Sequence, residues 1–495
     1  MPNNGTSFEF TTGRAGGHVL LVPLAAKPKP PMQLVSQIDA YCDNAVSDLI
    51  DVDGLGKDVG YIAHTTRSGV YKRIVLISLG ESDKIAPQQI RKAAARAANW
   101  LMDEKIKQAT LWIDGLLAHN LERPVSEWVC GMTLAGFRFA EHKNSDNGVP
   151  PKIQIKVESE DKSYLTSKMT LVREALALAQ AVNYSRQIAH QPANVINPTT
   201  LADESKKMAR QHKLKCTVLD MPQLKRHGMG GLIAVGIGSA HKPCLIKLEY
   251  KGAPHARTNT VIVGKAITFD TGGYSIKPAS GMEGMKFDKC GGAAVLGIMK
   301  ACATLKLPCN VVGLIAAAEN AVSDDAYMPG DIIKMANGKT VEIISTDAEG
   351  RLVLADALWY AQKHCKPTAM IDFATLTGGV IIALGKVAAG MMSNDDALCA
   401  ELGESGRRTH ERLWRLPLWD DYRDLIKGQD SDLLNVCNKR QASSIVGGMF
   451  LKEFVDDKMP WAHIDVAGTA TDDKDKAATG FGVRLIVDYL QRRTL

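Results

Sequence analysis

The sequence predicts an α/β protein of two domains: a smaller N-terminal α/β domain and a larger C-terminal one built on a mixed, largely parallel sheet covered by helices. Three observations carry this. The chain has 495 residues, more than a single hydrophobic core usually organises. Its composition, 45% hydrophobic and 23% charged, is that of a folded globular protein. After residue 200, short apolar runs alternate with helical patterns, as they do where helices cover a parallel or mixed sheet.

In chain order, the strand-like runs Val19–Val22 and Arg73–Ser78 and the helical run Gln88–Met102 give the first part its mixed character. The polar stretch Lys143–Pro151 precedes a strand-like Lys152–Val157. A long helical pattern, Met169–His190, puts Leu171, Ala175, Leu178 and Val182 on one face, and Pro192 ends it. The expected division is therefore an N-terminal domain over 1–160, a connecting helix over 161–190, and a second domain over 191–495. Buried-strand candidates in the second domain are Cys244–Glu249, Thr260–Val263, Asn310–Ala316, Val341–Ile344, Ala369–Ala374 and Ala462–Val466. Helix candidates between them are Gly292–Leu305, Arg351–His364 and Ile445–Phe454. Ligands of such sheets gather at the carboxyl ends of the strands.

Several function classes find no support. The formal charge of +6 is spread thinly, with pairs such as Arg407–Arg408 and Lys206–Lys207 scattered among acids; a nucleic-acid face would cluster them. Weak polyanion binding by an oligomer, whose charges add, stays open but unsupported. The ten cysteines show no CxxC pair and read as reduced thiols of an intracellular compartment, with the cytoplasm as the expected location. The start is polar (Asn3, Asn4, Thr6, Ser7), and Pro23 interrupts the short apolar run His18–Ala26, so a strand is expected there and no signal peptide. No stretch approaches membrane-spanning length. Gly338-Lys-Thr340 lacks the first glycine of a P-loop, since Ile333 stands there. HExxH and GxSxG motifs are absent, and the isolated His190 and His463 read as hydrogen-bonded structural histidines.

Two segments carry chemistry. The first runs Val263-Gly-Lys-Ala-Ile-Thr-Phe-Asp270-Thr-Gly-Gly-Tyr-Ser-Ile-Lys277-Pro and on to Met285-Lys-Phe-Asp288. The second is Ser345-Thr-Asp347-Ala-Glu349-Gly-Arg351-Leu. Each begins where a strand candidate ends. The second also opens a helix, so Asp347 and Glu349 lie near its positive N-terminus. One acid there would be capping; two acids and Arg351 within a turn exceed what capping needs. Gly272 and Gly273 allow a close or left-handed turn after Asp270, stringing Lys265, Asp270, Lys277 and Asp288 along one loop after the strand. Structural salt bridges alone would also account for this first segment. Three Asp and one Glu suit Mg²⁺, Mn²⁺ or a dinuclear Zn²⁺ site. A lysine joining them must be a neutral amine, which neighbouring metal charge favours.

These loops resemble the signature segments of the leucyl aminopeptidase (cytosol aminopeptidase) family, dinuclear metallo-exopeptidases. The similarity runs from about Asn183 to Arg484. It includes Gln191-Pro-Ala-Asn-Val-Ile-Asn-Pro198, Gly228–Tyr250, Asp372-Phe-Ala-Thr-Leu-Thr-Gly378 and Trp461–Gly468. The N-terminal part resembles the family only in size and α/β pattern. The resemblance implies that 191–495 is the catalytic metallopeptidase domain, holding two divalent ions, Zn²⁺ or Mn²⁺, with Mg²⁺ a third candidate. Lys265, Asp270, Asp288 and Glu349 match the tighter metal site. Asp270, Asp347 and Glu349 match the more exchangeable one, so Asp270 and Glu349 would bridge, and the Asp347 carbonyl is a further candidate ligand. Lys277 and Arg351 match two catalytic cations. Met285, Thr375, Gly378 and Ala467 match the pocket for the first side chain, and the Leu376 carbonyl would receive substrate.

The implied reaction is removal of the N-terminal residue, Leu and other apolar residues, from peptides by a metal-bridging water. Lys277 would stabilise the gem-diolate, and bicarbonate held by the Arg351 guanidinium would act as general base. The substrate's α-amine would bind the exchangeable metal. A homohexamer with the N-terminal domains outside a shared catalytic core is also implied. Alternatives are a Cys-Gly-type dipeptidase and a non-catalytic DNA-binding or scaffold role. Four features depart from the family pattern. Ala266 replaces a glycine, and its Cβ costs about 1 kcal/mol if φ there is positive. Lys289 replaces an apolar residue and would weaken cation affinity if its ammonium faces the site. Ser345 replaces Asn, as a residue that also caps helices. Ser443 and Ser444 stand in a stretch that usually contains glycine.

Overall fold

Residues 6–10, 17–26, 32–66, 69–119, 121–144, 152–256, 259–437, 439, 441–472 and 477–493 are described by a computed structural model. Asn3, Asn4 and most of the polar stretch 143–151 lie outside them. The chain divides into two units, Met1–Gln180 and Ala181–Leu495, and the division falls within the helix Lys162–His190.

In the first unit, alternating β-branched and leucine runs pair into a six-stranded sheet. Its order is Ser7–Phe10, Gln154–Glu158, Gln108–Trp112, Gly17–Leu24, Tyr71–Ser78, Ile62–Thr65. All pairs are parallel except the last. The period of two sends Leu20, Val22, Ile74 and Leu76 to one face, against the helices Met32–Cys42 and Ala45–Asp53. Leu21, Val75, Ile77 and Leu111 go to the other, against Pro87–Asp103 and Pro124–Ala135.

The second unit is built on an eight-stranded sheet in the order Leu413–Arg415, Ala389–Ser393, Trp461–Asp465, Pro367–Ala374, Asn259–Asp270, Asn310–Asn320, Cys244–Lys251, Lys215–Leu219. The four strands from Trp461–Asp465 to Asn310–Asn320 are mutually parallel; Ala389–Ser393 and Cys244–Lys251 flank them antiparallel. Both faces of the central strands are buried, as in a sheet covered on both sides. Val263 and Ile267 share a core with Leu352, Val353 and Leu354 of the helix Glu349–His364. Ala266, of opposite parity, meets Gly292 of the helix Cys290–Leu305.

Three expectations change. The strand expected over Thr260–Val263 continues to Asp270, so Lys265 is a strand residue and not a loop residue. Asp288 lies on a separate 3-10 turn, Met285–Lys289. Val341–Ile344 leaves the main sheet: Thr340–Glu342 joins Ile332–Lys334 and Leu433–Leu434 in a small three-stranded one. Ala389–Ser393, an Ala-Gly-Met-Met-Ser run of weak β-propensity, becomes a strand because its neighbours bury it entirely.

Candidate metal centre

The four parallel strands end side by side, and each end carries a polar group of the site. Asp270, Asn320 and Asp465 are last residues of their strands, and Thr375 follows Ala374 directly. Lys265 sits five residues before its strand's end, with the parity of Val263 and Ile267, so its side chain runs toward the helix that begins at Glu349. Gly350 makes room: a Cβ there would lie 2.6 Å from Lys265 Cε and 2.7 Å from Nζ. Lys265 Nζ lies 2.8 Å from Glu349 Oε1 and donates to Asp288 Oδ1 at 2.8 Å and the Thr375 carbonyl at 2.9 Å.

After Asp270 the backbone turns through Gly272 (φ 86°) and Gly273 (φ 65°), conformations that glycine adopts freely. The turn brings Lys277 back beside the acids. Lys277 Nζ is 2.9 Å from Asp270 Oδ2 and also pairs with Asp347 Oδ1. Carboxylate oxygens of Asp270, Asp347 and Glu349 lie within 4.8 Å of one another, the one such trio among the described residues. Asp270, Asp288 and Glu349 are buried, while Asp347 is partly exposed. The structure thus brings together all five expected metal residues and Lys277.

Crowding and burial make three of these carboxyls, Glu349, Asp288 and Asp347, bind protons more tightly than they would in water. Burial pushes Glu349 up to about 8, the charge of Asp270 adding to it and Lys265 opposing it. Asp288 rises to about 6, again first through burial, and burial also raises Asp347. Burial disfavours the Lys265 charge, but Asp288, Glu349 and Asp270 outweigh it and hold the ammonium well above the usual lysine value. Two divalent cations would replace these protons and relieve the repulsion. Asp288 Oδ2, buried and without a hydrogen-bond partner, is a free ligand atom for one. The residues present fit a pair of divalent ions.

Arg351 lies in the first turn of the helix, buried, with Nη1 donating to the Asn435 carbonyl at 2.9 Å and Nε without a partner. Burial lowers it to about 10, so it is charged at neutral pH and has a donor free for an anion. Thr375 Oγ1 donates to Asp288 Oδ1 at 2.7 Å. The amides of Leu376 and Ala467 both donate to Asp465 Oδ1, at 3.0 and 3.2 Å, and Thr377 Oγ1 donates to Oδ2 at 2.6 Å. Asp465 thereby joins two of the candidate pocket segments. Gly378 opens the next helix, and Met285 opens the turn that carries Asp288.

The departures have local answers. Ala266 lies within the strand and is not among the left-handed residues, so its Cβ brings no strain. Lys289 is buried, its ammonium donating to the carbonyls of Gln191 (2.7 Å) and Lys286 and not to Asp288. Ser345 is not the helix cap, which is Ala348; its Oγ accepts the Asp347 amide at 3.2 Å. Ser444 Oγ lies 2.9 Å from Thr377 Oγ1. Both histidines are structural: His190 Nε2 accepts the Ala478 amide at 3.1 Å, and His463 Nδ1 is 2.5 Å from Asp372 Oδ1. The residues that sequence reasoning missed are Asn320, Thr346, Asn435 and Asp465. Asn320 lies beyond the strand candidate Asn310–Ala316 and Asp465 inside Ala462–Val466, so the available signal was a polar residue at or just past the end of an apolar run.

The model of the cytosol aminopeptidase family's catalytic domain matches residues 183–487, and that of its N-terminal domain matches 22–146. The chain belongs to the cytosol aminopeptidase family. The N-terminal match extends the likeness beyond the size and pattern read from sequence. A probable cytosol aminopeptidase of Cenarchaeum symbiosum is 42% identical over 91% of this chain and 92% of its own length. One from Geobacter sulfurreducens is 39% identical over 92% and 93%. Among solved structures, the bottromycin maturation enzyme BotP in complex with Mn superposes with a TM-score of 0.84 at 27% identity, covering 97% of this chain and all of that one. Membership makes the chain a metal-dependent aminopeptidase, a hydrolase of peptides. Among the described residues no helix is long and apolar enough to cross a membrane.

Proposed function

We propose that this chain removes N-terminal residues, Leu and other apolar ones among them, from peptides at a centre of two divalent ions, Zn²⁺ or Mn²⁺. Lys265, Asp270, Asp288 and Glu349 would hold one ion and Asp270, Asp347 and Glu349 the other. The observation that carries this is the convergence of four carboxylates and Lys265 at the carboxyl ends of parallel strands. The exposure of Asp347 beside three buried acids supports the second site as the exchangeable one.

When bound, the ions would supply a water of lowered pKa and a Lewis acid for the scissile carbonyl. The chain's own residues do the rest. Lys277, held above its usual pKa by Asp270 and Asp347 against burial, stays an ammonium and would donate to the developing oxyanion. Arg351 would hold bicarbonate as general base through its unpartnered Nε. Thr375, Gly378, Met285 and Ala467 would line the pocket for the first side chain, and the Leu376 carbonyl would accept from substrate, its segment anchored by Asp465. The ten cysteines, none of them in a CxxC pair, favour a reducing compartment, the cytoplasm. Exposed Ile382, Val387, Trp414 and Trp419 support burial between subunits, as in a homohexamer.

Turnover of Leu-p-nitroanilide against N-acetyl-Leu-p-nitroanilide by Mn²⁺- or Zn²⁺-loaded protein tests the reading. Only the free-amine substrate should be cleaved. Equal cleavage of both, or turnover unaffected by chelation, would overturn it.

A further inference from the structure

Asn320 closes the strand beside Asp270, is completely buried, and touches both segments that carry the acids. Its Nδ2 donates to Asp270 Oδ1 at 2.8 Å and to the Thr346 carbonyl at 3.0 Å. These partners decide the amide's orientation, since the opposite one would set its carbonyl against two acceptors. The backbone adds to the tie: Thr271 N and Oγ1 donate to the Asn320 carbonyl at 3.1 and 2.9 Å. Asn320 Oδ1 has no partner and packs where a Cβ on Gly273 would come within 3.0 Å. A buried amide with an unpartnered carbonyl is a costly residue for packing alone, and its position points to the work done by its other end.

That end acts on Asp270. Oδ1 of Asp270 receives two neutral donors, Asn320 Nδ2 and the Gly272 amide at 2.9 Å, while Oδ2 faces Lys277. The carboxylate plane is therefore fixed from one side, leaving the other to cations. We infer that Asn320 is a positioning residue: it sets the plane of the Asp270 carboxylate and ties it to the Thr346–Asp347 segment, so that the ligands of the second metal site stay assembled. This rests on the two-metal reading above. Removing the amide would leave Asp270 Oδ1 with the Gly272 amide alone and free the carboxylate plane to turn, while the two segments stay joined by the Ser275 amide donating to Thr346 Oγ1 at 2.7 Å and the Thr346 amide donating to Ser275 Oγ at 3.1 Å.

The test uses full-length wild type, Asn320→Leu and Asn320→Ala, two variants differing in volume. Mn²⁺ titration calorimetry gives the two binding steps, low-temperature EPR reports whether a bound Mn²⁺ pair is spin-coupled through shared ligands, and the Tm of metal-free protein reports folding. The expected result is a weaker step reduced about 10–100-fold, a tighter step changed less, and loss of the coupled spectrum, with a metal-free Tm near that of wild type. Unchanged binding constants with an unchanged coupled spectrum would overturn the role. Equal weakening of both steps with a lowered metal-free Tm would also overturn it, in favour of packing. Wild type that binds no Mn²⁺ pair would overturn the two-metal reading itself, and this role with it.

Discussion

Loading the metal-free protein should release protons, and the structure names the groups that give them up. Ligation requires Glu349 and Asp288 as carboxylates and Lys265 as a free amine. Burial raises both Glu349 and Asp288, so in the empty site they keep protons at pH values where exposed carboxyls have lost them. Lys265, held above its usual value by Asp288 and Glu349 against burial, holds one more. Filling the tighter site should therefore release more than one proton per chain at pH 7, and the apparent affinity should fall more than about 10-fold per pH unit of acidification. The sign follows from the direction of the shifts: groups that bind protons more tightly in the empty site compete with the cation as pH falls. Calorimetry in Tris and in a buffer of low ionisation enthalpy measures the release directly. Release of one proton would mean that Lys265 stays an ammonium and is not a ligand. No release would refute the proton-loaded cluster altogether.

Other outcomes test separate parts. Lys277→Met should cut kcat by about 10²–10³-fold while both metal-binding steps persist, because a donor to the transition state is lost and no ligand is; steady-state kinetics beside a metal titration checks this. Gly350→Ala places a methyl group 2.6 Å from Lys265 Cε and should displace that amine, lowering the proton release above toward one. Asp372→Leu, which strands the buried His463 and frees the Trp461 indole N–H that now donates to Asp372 at 2.7 Å, should cost about 3–5 kcal/mol in urea unfolding. His463 is raised in the folded state, Asp372 outweighing burial. Its contribution is therefore complete below the unfolded value near 6.5 and is lost as pH rises through the folded value; Asp372→Leu should abolish that slope.

Much of this site was legible before any coordinates because its chemistry is local. Asp347, Glu349 and Arg351 lie close together in sequence where one helix begins, and Asp270 and Lys277 share one glycine-hinged turn, so each set is brought together locally. What the sequence hid is non-local. Asn320 contacts Asp270 only because two strands fifty residues apart end in register. Asp465 anchors Leu376 and Ala467 across two adjacent strand ends, and Asn435 reaches the Ser345 carbonyl at 2.6 Å from ninety residues away. Lys265 was expected on a loop because glycine and alanine around it weaken the strand pattern. Sheet neighbours on both sides extend that strand to Asp270. The misplaced Val341–Ile344 shows the same limit: an apolar run gives a strand but not the sheet it joins.

The central claim is that these residues hold two cations and that turnover depends on both. Mn²⁺ stoichiometry by elemental analysis, taken together with Leu-p-nitroanilide turnover for wild type and Glu349→Ala, tests it most directly. Glu349, like Asp270, is proposed as a ligand of both sites. Wild type should bind two ions per chain and gain activity as the second binds, while Glu349→Ala should bind at most one and remain inactive at any Mn²⁺ concentration. Two ions and near-normal turnover in Glu349→Ala, or full wild-type activity with none bound, would contradict the account.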